Sequence, residues 1–545
     1  MIFSYLLITF SLLVANVSNP WTTFWMEFTA GLGVLLGIVI LCINKKLLMH
    51  KRISIILVAF FVLLVIDCFL RNNIYYGDNL IVFLYIYFFF ISICLGWNFY
   101  FSLEKYAFFS IFVAIFCIGI LLAQWIGIDL DKMYFRELTP GARVYANMGQ
   151  PNHLATVLVW SGVLSIFLNN EKKLSNNLTI VFLVLVAFSQ SLAQSRTSFL
   201  SLLMTFFVAF FIFKRSGRSV PIRKIGFWMV CLLFFSTILP LLQEVLGMRA
   251  ERSLYEMGVG TSRTAHWLSM LDAVAKKPLF GYGWLHAAEA HISGTGYAIK
   301  ESIFQYSHNL ILDVALWAGI PFGIIIFFGI SLGVVSCLKN SISTSQKYSF
   351  LLVVVFLVHC MLEFPYAYLH LLIPAGIFVG HCCKRNGSSE QYLNWFQSAI
   401  IIMIGVCLSL LVVYDYWGIE RKTTALRFEY AKIYGGERVE EDSDVIVLDQ
   451  AKALVEHTYR EPAIDISAEI IKKNDKATYR YGTQRLLFHS AMVHGFNNDP
   501  KSSKKFLREI CKIHSKSSCE FSKNQWNILK QEYPENIGNI DFPEI

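Results

Sequence analysis

The chain has 545 residues, 55% of them hydrophobic and only 16% charged, with a mean hydropathy of +0.52. A soluble globular domain is about 25% charged, so this composition excludes that class and points to an all-α polytopic membrane protein. The net charge of +9 belongs to residues 1–417, because the 418–545 tail holds 20 basic and 20 acidic residues. Anchoring to anionic lipid accounts for that excess, and nothing calls for nucleic acid.

Thirteen apolar runs follow one another at 2–17, 24–43, 53–70, 79–96, 106–125, 151–168, 178–194, 198–213, 226–247, 308–336, 348–361, 366–381 and 397–417. Runs of about 18–20 residues cross a hydrocarbon core about 30 Å thick. The first run lacks a basic leader, so a retained helix is expected there rather than a cleaved signal. Lys and Arg in the short loops set the orientation. On the side of Lys45, Lys46, Lys51 and Arg52 these loops hold 16 Lys and Arg, against 5 on the other side. The basic side is expected inside. The segments 126–150, 190–197, 248–307 and 362–366, and the tail, are then expected outside. Three regions result: helices 1–125, a catalytic region 126–417 that includes the outer loop 248–307, and a soluble α-helical domain 418–545.

The outer segments are richer in polar groups than connections require. Segment 126–150 mixes Asp, Tyr, Gly and Arg, and its Arg143 is a candidate for binding substrate. In "GQPNHLATVL", Pro151 suits the first position of a helix. Gln150, Asn152 and His153 then gather where free N–H groups and the positive dipole end favour anions. Capping alone explains one or two such side chains, and explains the whole set less well. In "SQSLAQSRTSFL", Arg196 stands at a helix mouth. Such an Arg can snorkel to the interface or grip a phosphate with its planar fork of donors.

The stretch "SRTAHWLSMLDAVAKKPLFGYG" predicts an amphipathic helix along the membrane surface. Ser262 can cap it, Trp267, Leu268 and Leu271 share a face, and Pro278 stops it. "YSHNLILDVALWAGIP" predicts the start of one long helix, with Ser307 as cap and His308 in the first turn. Histidines titrate near neutral pH, which suits proton abstraction, although a structural hydrogen bond is the plainer role. "LEFPYAYLHLLIP" puts Glu363, Tyr366 and Tyr368 at a hairpin, where an aromatic belt is expected anyway.

The tail reads as amphipathic helices near 419–434, 444–457, 461–473, 478–496, 502–514 and 521–531, an α-bundle without a clean 34-residue repeat. Ten of the twelve Cys lie in or beside apolar runs and read as small hydrophobes. Cys511 and Cys519 sit in the tail, where a disulfide is open if the compartment is oxidising. The sequence has no P-loop, no GxGxxG after a strand, no HExxH and no zinc-spaced Cys/His set. His286 and His291 are five apart, the wrong spacing for one helical face. Asp67, Glu244, Asp313 and Asp415 lie in or near apolar runs, which keeps a proton-coupled transporter open. An enzyme with this inventory needs an activated substrate rather than a cofactor or metal. A lipid diphosphate is both leaving group and energy source.

The motifs "GQPNHLATVL", "SQSLAQSRTSFL", "SRTAHWLSMLDAVAKKPLFGYGW", "YSHNLILDVALWAGIPFGI" and "LEFPYAYLHLLIPAGI", in that order from about 145 to 382, resemble the bacterial O-antigen ligase superfamily. Within it they are most similar to the PglL-type protein O-oligosaccharyltransferases. The resemblance implies a bacterial inner-membrane enzyme with its site and tail facing the periplasm. It implies en bloc transfer of a preassembled glycan from undecaprenyl diphosphate to a Ser or Thr of a periplasmic protein such as a pilin, inverting and without a metal. His308 matches the family's essential His, Gln150 its Gln, and Tyr366 (or Tyr368) its Tyr. Arg196 matches an Arg thought to hold diphosphate, with Arg263 a second candidate. His153 and Asn152 would help position the donor. An O-antigen ligase acting on lipid A–core, or an O-antigen polymerase, shares these motifs. The tail favours a protein acceptor. A transporter of lipid-linked glycan would need no base at His308.

Overall fold

The structure, a computed structural model, describes residues 1–15, 19–44, 47–71, 75–98, 100–138, 142–214, 220–246, 261–294, 303–341, 343–384, 390–432, 445–459, 462 and 464–543. Among these, ten helices are long and apolar enough to cross a membrane. They are Phe24–Ile43, Tyr76–Trp97, Leu103–Ile126, Pro151–Asn170, Asn176–Ala193, Arg196–Lys214, Val220–Val245, Ile320–Asn340, Thr344–Leu362 and Trp395–Tyr430. Three shorter apolar helices lie at Ile2–Leu13, Ile55–Phe69 and Leu369–Cys383. The chain is an all-α polytopic membrane protein, and every apolar run of the sequence falls on one of these helices. One small departure is a pair of antiparallel three-residue strands, Leu48–His50 with Glu390–Tyr392.

The expected long helix from 308 is instead broken. Leu310–Ala318 ends at Gly319, and a second helix runs Ile320–Asn340. Gly319 has φ +89°, which disfavours any side chain, and a Cβ there would strike the Leu279 carbonyl. Ile320 N–H donates to the Pro278 carbonyl at 2.8 Å, so the break is stitched to the chain before it. Conversely, the separate helices expected at 397–417 and 419–434 are one continuous helix, Trp395–Tyr430.

The chain forms two compact units. The first comprises 1–60, 84–260 and 330–409. Its centre is the helix Pro151–Asn170, in which every residue from Asn152 to Leu168 is buried. Two of its polar side chains are satisfied by neighbours: Trp160 Nε1 donates to the Leu352 carbonyl (2.9 Å), and Ser161 meets Ser110 (3.2 Å). A disulfide joins Cys337 to Cys383 at the ends of Ile320–Asn340 and Leu369–Cys383. It corrects the reading of those two Cys as unconnected hydrophobes: the C-terminal ends of two helices bring together thiols 46 residues apart.

The second unit comprises 61–83, 261–329 and 410–545. Its tail helices are Asp449–Tyr459, Ala468–Tyr481, Gln484–Phe496, Pro500–Ile513, Lys516–Glu532 and Pro534–Ile537. Gly482 at φ +59° separates two of them, so the boundaries expected at 473 and 478 move to 481 and 484. Leu487, Phe496, Phe506, Leu507, Ile510 and Trp526 form the core. Cys511 and Cys519 are bonded. Three of the four acidic residues that kept a proton relay open have structural partners. Asp67 pairs with Arg71 (2.6 Å), Asp313 accepts from Ser307 N–H (2.6 Å), and Asp415 accepts from the N–H groups of Ile446, Val447 and Leu448 (2.6–2.9 Å).

In the tail, His494 lies between Asp475 (3.0 Å) and Asp499 (3.2 Å). Burial opposes its charge, but these carboxylates outweigh burial and raise its pKa. A raised folded pKa contributes stability that is full below the unfolded value, about 6.5, and is lost as pH rises through the folded one. Unfolding of the purified chain in detergent is therefore expected to ease between pH 6 and 8.5. A His494→Gln variant should lose that dependence, and identical pH slopes for the two proteins would refute the assignment.

Candidate active site

In the first unit, the segment after Leu103–Ile126 folds back because Gln124 grips it. Gln124 Nε2 donates to the carbonyls of Arg136 (3.0 Å) and Ala146 (2.9 Å), and its Oε1 accepts from Tyr145 and Ala146 N–H. Asn147 Oδ1 accepts from Arg136 N–H (3.0 Å). The chain then turns at Gly149, φ +69°, where a Cβ would collide with the Arg136 guanidinium. Pro151 occupies the first turn of the helix as expected, and Gln150 is the N-cap without a side-chain capping bond. Pro151 carries no N–H, and the N–H groups of His153 and Leu154 turn to the Gln150 carbonyl (3.2 and 3.3 Å).

Asn152 is fully engaged. Its Nδ2 donates to Glu363 Oε1 (2.9 Å), and its Oδ1 accepts from Ser195 Oγ (2.7 Å). The residue expected to touch substrate instead braces three outer turns together. Arg143 donates to the Gln194 carbonyl (2.8 Å), so it supports the turn that introduces Arg196, the first residue of Arg196–Lys214. Tyr366 sits in the short turn Pro365–Ala367. The Tyr368 ring meets the His153 ring edge-on at 4.4 Å. Burial, then the Glu27 and Glu363 carboxylates against the Arg136 charge, raises the Tyr368 pKa, so this phenol donates a hydrogen bond rather than acting as a base.

A buried layer of histidines lies under Tyr368: His153, which the sequence singled out, with His359 and His370, which it did not. His359 is bonded to Thr156 Oγ1 (2.7 Å). Neither ring nitrogen of His153 or of His370 has a hydrogen-bond partner among the described residues. Arg136 was missed as well. Its half-buried guanidinium has no hydrogen-bond or ion-pair partner among the described residues, and its charge is felt at Tyr368, His153 and His370. The signal available in the sequence was "NMGQ", a glycine turn next to a helix start; nothing there names position 136.

In the second unit, the surface helix forms as predicted, Thr261–Lys276, just before Pro278. Ser262 lies within it rather than before it. The side chains of Ser262 and Arg263 lie outside the described residues. His308 is not in a helix. It precedes Leu310–Ala318 and adopts φ +61°, while Asn309 rather than Ser307 caps that helix, accepting from Ile311 and Leu312 N–H (3.1 and 3.2 Å). The ring lies 6.0 Å from that of His266 and 5.9 Å from that of Phe304. His266 and His291 stand behind Phe304. Burial, then neighbouring histidines, draws His266 down to about 3 and His291 down to about 4, so both are neutral near pH 7. The one group of His, Cys, Asp or Glu close enough to hold a metal among the described residues is Cys337, Cys382 and Cys383, at the opposite helix ends, and two of these are bonded to each other.

Three family descriptions match parts of the chain: O-antigen ligase over 181–328, the C-terminal part of a virulence factor membrane-bound polymerase over 348–526, and protein glycosylation ligase over 144–168. The last covers the turn and helix that carry Gln150 and His153. The ComP-specific O-oligosaccharyltransferase of Acinetobacter baylyi is 27% identical over 410 residues, 72% of this chain and 73% of that one. The general O-oligosaccharyltransferase of the same organism is 25% identical over 431 residues, 75% of this chain and 74% of that one. Fold and similarity together define a membrane-embedded glycosyltransferase. In sequence it is similar to the O-antigen ligase and protein glycosylation ligase families over those stretches.

Proposed function

We propose that this enzyme moves a preassembled oligosaccharide, en bloc, from undecaprenyl diphosphate to Ser or Thr hydroxyls of envelope proteins such as a pilin. The setting would be the bacterial inner membrane, with the site and the 418–545 domain on the periplasmic side and the catalytic region within 126–417. The observation that carries this reading is Arg136. A half-buried guanidinium without a partner is costly unless an anion joins it. This one lies beside a helix start, where the positive end of the helix dipole also favours anions. A diphosphate answers both. The relatives' names, O-oligosaccharyltransferase, support the group transferred and a protein hydroxyl as acceptor.

The acceptor oxygen attacks the anomeric carbon while the carbon–oxygen bond to diphosphate breaks. The bonding pair leaves with the diphosphate, and the hydroxyl proton passes to His308. Attack opposite the leaving group inverts the anomeric centre. Arg136, Arg196 and Arg263 neutralise the charge that develops on the diphosphate, and in this scheme those side chains take the part a metal would play. Gln150 and Tyr368 orient the donor by hydrogen bonds. His153 lies beneath Tyr368 and supports it.

Intact-mass analysis of envelope proteins with and without the gene tests the function. Loss of an oligosaccharide-sized mass from Ser- or Thr-containing peptides of at least one protein is expected. Unchanged protein masses with altered lipopolysaccharide would overturn it in favour of ligation to lipid A–core or polymerisation. For the binding role, Arg136→Gln should raise the donor KM about tenfold, the worth of about 1.4 kcal/mol from one charge-assisted contact. A donor KM within twofold of wild type would remove Arg136 from the site.

A further inference from the structure

We propose that the C-terminal tail is a working part of the catalytic centre, with Gln305 and Arg480 as positioning residues for His308. The proposal rests on the reading of His308 as proton acceptor, and all of its contacts lie within the second unit.

His308 ends a short irregular strap, 303–308, and every preceding residue of the strap is held. Ile303 lies against Gly482, the left-handed C-cap of Ala468–Tyr481, where a Cβ would stand 2.8 Å from Ile303 Cγ1. Phe304 stacks on His266 at 3.8 Å, and its N–H donates to His291 Nδ1 (3.4 Å). Gln305 Nε2 donates to the Tyr481 carbonyl (2.7 Å), and its Oε1 accepts from Arg480 Nη1 (3.2 Å). The Tyr306 carbonyl meets His266 Nε2 (3.3 Å). Ser307 donates its N–H to Asp313 (2.6 Å), and its carbonyl accepts from Trp267 Nε1 (2.9 Å). The strap is therefore clamped between the surface helices on one side and the end of a tail helix on the other.

The tail side of the clamp is itself anchored. Arg480 donates from Nε (2.8 Å) and Nη2 (2.9 Å) to the two oxygens of Asp78, and both side chains are buried. Asp78 sits in the first turn of the membrane helix Tyr76–Trp97. His514 meets the Gly482 carbonyl at 3.0 Å and fixes the same turn. Of the strap residues, Gln305 alone uses both ends of its side chain on the tail. Its amide is thus the direct tie between the tail and the segment that delivers His308. A neutral amide bonded to a main-chain carbonyl and a pre-paired guanidinium sets position without altering the charge near the base. An error of about 1 Å at a catalytic group can cost about a hundredfold in rate.

The test uses the purified full chain with undecaprenyl-diphosphate-linked oligosaccharide and, as acceptor, the envelope protein that loses mass in the gene deletion. Gln305→Leu removes both amide bonds and keeps the volume. Arg480→Lys keeps a cation on Asp78 and loses the fork to Gln305. Each is expected to lower kcat about 10- to 100-fold while both KM values stay within about threefold. The double variant should be no worse than the poorer single one, and Gln305→Leu should unfold at the wild-type temperature. Turnover within twofold of wild type in both variants, with His308→Ala inactive, would overturn the positioning role. So would a loss of kcat matched by an equal loss of folded protein. Full activity in His308→Ala would instead sink the reading of His308 itself, and the inference with it.

Discussion

His308→Ala is expected to cut glycan transfer by about a thousandfold, within the usual worth of a positioned general base of about 10²–10⁴. Protein level and lipid-linked donor should stay at wild-type amounts. The backbone supports the choice of this residue. A non-glycine residue at φ +61° costs about 1–3 kcal/mol and persists only where its surroundings over-determine it. The preceding strap supplies that through the bonds of Ser307 to Asp313 and Trp267, and Asn309 starts the helix immediately after. A plain structural histidine needs no such placement. His308→Ala should also relax the strap little, because none of those bonds uses the imidazole. The measurement is the rate of donor turnover in membranes with matched enzyme levels. Transfer within tenfold of wild type would show that the proton goes elsewhere.

The second large effect concerns stability. Asp78→Asn or Arg480→Met leaves one buried charged partner uncompensated and is expected to destabilise the chain by about 3–5 kcal/mol. The Asp78→Leu/Arg480→Met double variant should recover most of that loss, because a buried ion pair replaced as a whole by apolar groups is often neutral. Chemical unfolding in detergent separates the cases. A double variant as unstable as the singles would mean that the pair itself, rather than the orphaned charge, carries the energy. Activity should not recover with stability in the double variant, since Gln305 has lost its guanidinium partner there.

Legibility followed the range over which each signal acts. The membrane helices were plain because apolar runs and basic loops are local properties, and Pro151 marked its helix start for the same reason. The Gly319 break lay in "WAGIP" but was hidden by a hydrophobic pattern that continues on both sides. Arg136 was not legible: only the Gln124 and Asn147 bonds and the Gly149 turn bring it to the helix start. His359 and His370 each sit singly within apolar runs, where one polar residue carries no spacing to interpret. The bonds of Asn152 and Arg143 to neighbouring turns were not legible, because a donor aimed at a turn and one aimed at substrate look alike in a sequence. Asp313 and Asp415 likewise became anchors once their backbone partners were known.

The helix Pro151–Asn170 has a consequence for how the protein is made. It is the least apolar of the ten long helices, and every residue from Asn152 to Leu168 faces protein. Its Thr156, Ser161, Ser165 and Trp160 find their partners only on neighbours or on its own backbone turn. Entering lipid alone, it would expose those groups where no water can serve them. During synthesis it is therefore the span least able to leave the translocation channel by itself. Its release should wait for helices such as Asn176–Ala193 and Arg196–Lys214 to emerge and shield it. The helix whose polar start is proposed to meet the donor is thus also a demand on the order in which the membrane part assembles.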